Sequence, residues 1–129
     1  MKKTAILSFL FLMVISFSSC KKDVVDILPG TWNVSEIKNE PPSGSATTLT
    51  NAGTVTFESG GTGSYNLNLG LGTTSGNFVW VASDNNSNVT ISGFNILAGQ
   101  YTVITNKTNN QVWQRLDSNG TKYTYTLDK

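Results

Sequence analysis

The chain has no histidine, one cysteine and three prolines in 129 residues, and only 13% of its side chains are charged. Each shortage excludes something. Without histidine there is no Ser-His-Asp or Cys-His arrangement to activate a hydroxyl or thiol. One cysteine forms no intrachain disulfide and builds no cysteine cage for zinc. Nine basic against eight acidic residues leave a net charge of +1, too little to supply the field that nucleic-acid binding rests on. The length is that of one domain. The acids are scattered. A glycosidase couple would need two of them side by side, for instance Glu36 with Glu58, and no spacing forces such a pair together. Asp84, Asn86 and Asn88 sit like the start of a calcium loop, but Val89 stands where glycine is needed and Asn95 where the bidentate glutamate belongs. That stretch reads as a hairpin turn. No enzyme activity, metal site or cofactor is expected.

What is present begins with an export signal. Lys2 and Lys3 precede an almost wholly apolar run from Ala5 to Phe17. The run is short of the roughly 20 apolar residues of a spanning helix and fits a secretory signal peptide, residues 1–19. Ser18 and Ser19 lead into the lone cysteine, Cys20. Phe17-Ser18-Ser19-Cys20 resembles a bacterial lipobox of the looser type found in Bacteroidota. The resemblance implies cleavage before Cys20, diacylglycerol on its thiol, and anchoring in the outer membrane. Lys21-Lys22-Asp23 is similar to the charged signal behind the lipid cysteine of surface-exposed lipoproteins; cell surface and periplasmic leaflet both stay open. Residues 20–28 are expected to be a short tether.

From Pro29 onward no window holds apolar residues at helical spacing. Apolar and polar residues alternate instead, between clusters of Gly, Asn and Ser. Eight strands are predicted: Thr31–Lys38, Thr54–Glu58, Gly63–Leu71, Asn77–Ser83, Asn88–Asn95, Gln100–Thr105, Gln111–Asp117 and Thr121–Asp128. Tight turns at Ser59-Gly60-Gly61, Asp84–Ser87 and Asn119-Gly120 suit a meander, because Gly and Asn accept positive φ. A meander keeps two exposed edges unless it closes. The fold class expected is therefore all-β, an eight-stranded antiparallel up-and-down barrel over residues 29–129 after an N-terminal signal helix, with a two-sheet sandwich as fallback. The one long connection is Asn39–Gly53, either a functional loop or a tolerated insertion.

Leu28-Pro29-Gly30-Thr31-Trp32 resembles the Gly-x-Trp opening of the lipocalin and wider calycin group. Val112-Trp113-Gln114-Arg115, the Asn119-Gly120 turn and the tyrosine-rich last strand are similar to later strands of lipocalin-like lipoproteins of Bacteroidota. The resemblance implies that Gly30 and Trp32 close one end of the barrel, with an arginine stacked on the tryptophan. Arg115 is the only arginine and so the candidate. Ligand would enter the opposite mouth.

An eight-stranded barrel has room for its own side chains or for one small ligand. Tyr65, Trp80, Tyr101, Tyr123 and Tyr125 are expected to face inward, as are Leu69 and, by register with Trp32 and Val34, Glu36. Buried tyrosine hydroxyls need partners, so Glu36, Tyr65, Trp80, Tyr101, Tyr123 and Tyr125 form the candidate ligand-binding set. Two functions follow. One is a membrane-anchored, non-catalytic binder of a small apolar or amphipathic ligand. The alternative is a filled barrel acting as an adhesion or scaffold module, meeting an outer-membrane protein or a glycan through its loops.

Overall fold

The structure is a computed structural model that describes residues 22–129 except Phe94. The signal-peptide reading of residues 1–19 and the lipidation reading of Cys20 lie outside the described residues. A single helical turn, α1 (Val24–Ile27), precedes eight strands: β1 (Gly30–Glu40), β2 (Thr47–Phe57), β3 (Thr62–Asn68), β4 (Thr73–Ala82), β5 (Asn88–Ser92), β6 (Gly99–Asn106), β7 (Asn110–Leu116) and β8 (Lys122–Asp128). Each strand pairs antiparallel with the next, and β1 pairs with β8, so the sheet is a closed up-and-down barrel. Period-two patterning explains the strands. In β3, Gly63, Tyr65 and Leu67 are buried while Thr62, Ser64, Asn66 and Asn68 face away from the core, one face dry and one wet.

The inward side chains fill the lumen. An aromatic spine runs through it: Phe57 meets Phe78, Trp80 and Trp113 edge-on at 5.3–5.6 Å, and Tyr101 meets Trp113 and Tyr125 at 5.8 and 5.4 Å. Such pairs add about 0.5–1.5 kcal/mol each beyond their buried area. Two cross-strand pairs make room for rings by omitting a side chain: Gly63 faces Phe78 and Gly76 faces Tyr65. A Cβ on Gly76 would lie 2.6 Å from the Tyr65 hydroxyl oxygen.

Four expectations are corrected. The long loop Asn39–Gly53 is mostly strand, because Thr47–Thr50 pairs with Glu36–Asn39; the connection is only residues 41–46. β3 stops at Asn68 rather than reaching Leu71, and Leu69 is exposed rather than inward, since the chain turns through Gly70 and Gly72 at positive φ. β5 stops at Ser92, where Gly93 turns the chain. The tether is not a free linker in its described part: Val24 and Leu28 are wholly buried and Ile27 nearly so, under the barrel. Val24 N–H donates to Asn86 Oδ1 at 2.8 Å, and Trp32 Nε1 donates to Leu28 O at 2.7 Å. The segment is thus a plug, with α1 closing the end at which β1 begins.

Candidate functional site

Strand direction sorts the connections by end. The closed base carries α1, the turns at 58–61, 83–87 and 107–109, and Lys129. The open end carries residues 41–46, 69–72, 93–98 and 117–121. Registers then stack the interior in rows across β1, β8 and β7. Ile37, Tyr125 and Trp113 form one row; Asn39, Tyr123 and Arg115 form the next, nearer the open end.

A bulge decides what reaches those rows. Between Val34 and Glu36 the register of β1 shifts against both neighbours: Ser35 is the extra residue against β8, while against β2 the extra residue is on β2, where Asn51 and Ala52 stand opposite Ser35 alone. The Ser35 hydroxyl donates to Thr126 O and to the Asp128 carboxylate. That bond, with a second from Asn110, holds Asp128 below the usual carboxylate range. Beyond the bulge the alternation inverts, so Ile37 packs on the core and Glu36 faces outward. The expectation that Glu36 lines the interior is therefore overturned: counting by twos from Trp32 fails when one residue is unpaired.

The tyrosines of the last strands do gather at the open end. Tyr101 is buried in the row of Arg115 and donates its hydroxyl to Leu97 O at 2.7 Å. Arg115 Nη1 donates to the Tyr101 hydroxyl at 3.2 Å, and its guanidinium carbon lies 5.6 Å from the Tyr101 ring and 5.0 Å from the Tyr123 ring. Asp117 pairs with Arg115 Nε at 3.0 Å. Gly99 leaves the room this needs, since a Cβ there would sit 2.8 Å from Arg115 Cδ. Arg115 thus seals the open end. It does not cover Trp32, as the resemblance implied. Lys129 does: its Nζ lies 4.5 Å over the Trp32 ring and donates to Ile27 O and Pro29 O. β7 runs from base to open end, which carries Arg115 to the wrong end for Trp32, whereas the chain after β8 finishes at the base.

Gly30 and Trp32 are where the base closes, with Trp32 fully buried. Trp80 is buried beside Phe57, its Nε1 donating to Glu58 O and Thr62 O. Tyr65 is buried over Gly76, apart from the Tyr101–Tyr123–Tyr125 cluster. Sequence reasoning missed three polar residues that matter. Gln111 is fully buried, donates to Asn106 and Lys107 O, and accepts from Trp113; its inward parity with Trp113 was the available signal. Lys129 carried none. Asn39 faces inward beside Tyr123, and its Oδ1 is buried with no partner.

The lumen itself holds about 20 Å³ of space, bounded by apolar residues such as Val55, Leu67, Ile91 and Leu97 and by Tyr101 and Trp113. That is scarcely a water's worth, and small-molecule sites run to about 300–1,000 Å³. Larger hollows open to solvent elsewhere. One of about 540 Å³ lies over Thr62, Phe78, Val79, Ser92 and Gly93. Another of about 550 Å³ lies over Tyr65, Gly93, Asn95, Ile96 and Ala98. Among the described residues no His, Cys, Asp or Glu side chains gather as a metal-binding group.

Burial holds the Tyr101 hydroxyl well above the usual phenol range, helped by its neighbour Tyr125 and opposed by Arg115. Burial likewise raises Tyr125. Both phenols are neutral in the native state, while in the unfolded chain they ionise near pH 10. The native state therefore binds more protons above that pH, and stability falls as pH rises through and beyond it. Alkaline titration should show phenolate absorbance from these two residues only together with loss of barrel circular dichroism. Tyr101→Phe should remove part of that late absorbance.

No family model and no curated protein matches the chain. Among solved structures it is similar to a redesigned β-barrel, at 17% identity with a TM-score of 0.49, covering 84% of this chain and 96% of that one. It is also similar to a deswapped triple mutant of bovine odorant-binding protein, at 15% identity with a TM-score of 0.47, covering 79% and 73%. The barrel assignment rests on the strand registers above.

Proposed function

We propose that the chain is a lipid-anchored, non-catalytic binding module that works from its outer surface, with its filled barrel as a rigid support. The observation that carries this reading is the lumen: about 20 Å³, closed at the base by α1 and Trp32 and at the open end by Arg115 and Leu97. Its partners are the bilayer, through acylated Cys20, and an outer-membrane protein or glycan met by the open-end loops. Geometry supports that division. Lys22 lies at the base, where its carbonyl accepts from Asn106, so an anchor two residues earlier draws the base toward lipid. The open-end loops then face away from it. Of these loops, residues 42–46 are exposed throughout.

Labelling with a fatty-acid probe tests the anchor: wild type takes the label and Cys20→Ala does not. Equal labelling of both defeats it. Replacing residues 42–46 with a two-residue Asn-Gly turn tests the contact. A partner pulled down by the wild type is then lost while the circular dichroism is kept; survival of the pulldown moves the contact elsewhere.

A second reading, an internal apolar or amphipathic ligand, is favoured by one observation. The apolar lumen ends in a polar cluster, with Asn39 Oδ1 buried and unpartnered beside Tyr123 and Arg115. A ligand entering there has to displace the Arg115 seal. A lipid, sterol and pigment panel separates the two readings. Under the filled-barrel reading no compound quenches tryptophan fluorescence or raises the melting temperature; saturable quenching by one of them reverses the order.

A further inference from the structure

The chain reaches the barrel at one particular side of the base. Lys22 O accepts from Asn106 Nδ2 at the end of β6, and Val24 N–H donates to Asn86 Oδ1 in the β4–β5 turn. Lys22 therefore enters beneath the wall formed by β4, β5 and β6. It lines a hollow of about 500 Å³ there with Asn85, Ile104 and Lys107. Cys20 stands two residues earlier. At about 3.5 Å per extended residue its Cα is held within roughly 7 Å of that of Lys22.

The same wall is unlike the rest of the surface. Between Glu58 and Lys107 the only charged residue is Asp84, in the turn at the base. By contrast β1, β7 and β8 carry Glu36, Lys38, Glu40, Arg115, Lys122 and Asp128. Exposed aliphatic side chains take the place of charge. Val79 and Val81 on β4 are 50% and 63% exposed, and Ile104, the residue left out of the β6–β7 register, is 53% exposed. Val25 on α1 is 50% exposed. All four belong to the base half of the molecule, where the chain enters. Single exposed aliphatics are ordinary, but several on a charge-free wall mark a surface for an apolar partner. Charge does not select that partner: Lys22 and Lys107 at this edge stand with Asp23, Asp26 and Asp84, so there is no positive excess to draw an anionic one.

We infer that the β4–β6 wall and α1 rest on the bilayer, with Val25, Val79, Val81 and Ile104 sunk into the boundary between head groups and acyl chains. Lipid reaches this edge first through the anchor proposed at Cys20, on which the contact depends. Interfacial elements bury their apolar side chains about 5–10 Å deep at that boundary. The barrel then leans toward β5 rather than standing upright. β1, four strands away around the closed sheet, faces water.

Tryptophan scanning tests the contact. The full chain is purified from the membranes of a bacterial host and reconstituted into phosphatidylcholine vesicles with brominated acyl chains. Trp32, Trp80 and Trp113 are buried, and bromine quenches only near contact, so they give a constant background. Val81→Trp and Ile104→Trp each place an indole on the wall. Asn33→Trp places one at an exposed position in the base half of β1. Each exchanges a solvent-facing side chain, and an unchanged melting temperature checks the fold; if one wall variant unfolds, the other decides. The wall indoles are expected to emit at shorter wavelength and to lose most of their added emission to bromine, while Asn33→Trp keeps its own. The contrast should persist at about 1 M salt, where charge attraction is screened beyond about 3 Å. Fatty-acid labelling is read on the same samples. Label present with equal quenching at the wall and β1, or with none at either, overturns the contact and leaves the anchor standing. Label absent removes both. A contrast that vanishes in salt also overturns the contact, because attraction between charges would then have made it.

Discussion

Trp32→Ala should lower the unfolding free energy by about 3–5 kcal/mol, the range for removing a buried large aromatic. Trp32 is fully buried and holds the base together from three directions. Its indole N–H donates to Leu28 O, which ties the plug segment to the barrel. Its ring supports the Lys129 ammonium, which in turn caps the carbonyls of Ile27 and Pro29. Its neighbour across β2 is Val55. Chemical denaturation at constant slope measures the loss. Lys129→Met should cost only about 0.5–1 kcal/mol, because its ammonium is near solvent. Arg115→Met should leave the base untouched. It should instead open the other end and increase quenching of the Tyr101–Trp113 cluster by small solutes. An Arg115→Met variant that weakens the base as much as Lys129→Met does would contradict the placement of the two cations.

Gly53→Ala should cost at least about 2 kcal/mol, since a strained positive φ alone costs of the order of 1–3 kcal/mol and here a steric clash adds to it. Gly53 has φ +127°, and a Cβ on it would strike the backbone carbonyl of Asn66 on β3. Neither atom is the far end of a flexible side chain, so one strand has to move. The position is where β1 and β2 change register, between Val34 and the bulge. Gly44 is the control. It also has positive φ, +103°, but nothing stands within 4 Å of the added carbon. Gly44→Ala should therefore show the conformational cost alone. Equal urea midpoints for the two variants would mean that the β2–β3 approach is looser than the structure has it.

The strands were legible because one side chain in two is apolar over most of the chain. β3 and β8 are cases where parity alone picks out Tyr65, Leu67, Tyr125 and Leu127 as buried. Parity carries no information across an unpaired residue, so counting by twos from Trp32 puts Glu36 on the wrong face. It also says nothing about where pairing stops. Leu69 and Leu71 continue the alternation of β3, but Gly70 and Gly72 turn the chain before a partner is reached. Within the candidate site, the joining of Tyr101, Tyr123 and Tyr125 followed from their strands. The orphaned Asn39 did not, since its inward direction exists only after the bulge.

Composition and alternation by themselves determined that this chain is all-β and an antiparallel meander, and favoured closure over a two-sheet sandwich, because a meander with one apolar face must cover that face and its edges. They also determined that histidine chemistry is absent. Only the tertiary structure decided how full the barrel is, which cation closes which end, and that the segment before Gly30 is a plug. Those outcomes depend on strand tilt, bulge position and which rings meet across the lumen. Volume is left over only where those contacts fail, and here they leave about 20 Å³.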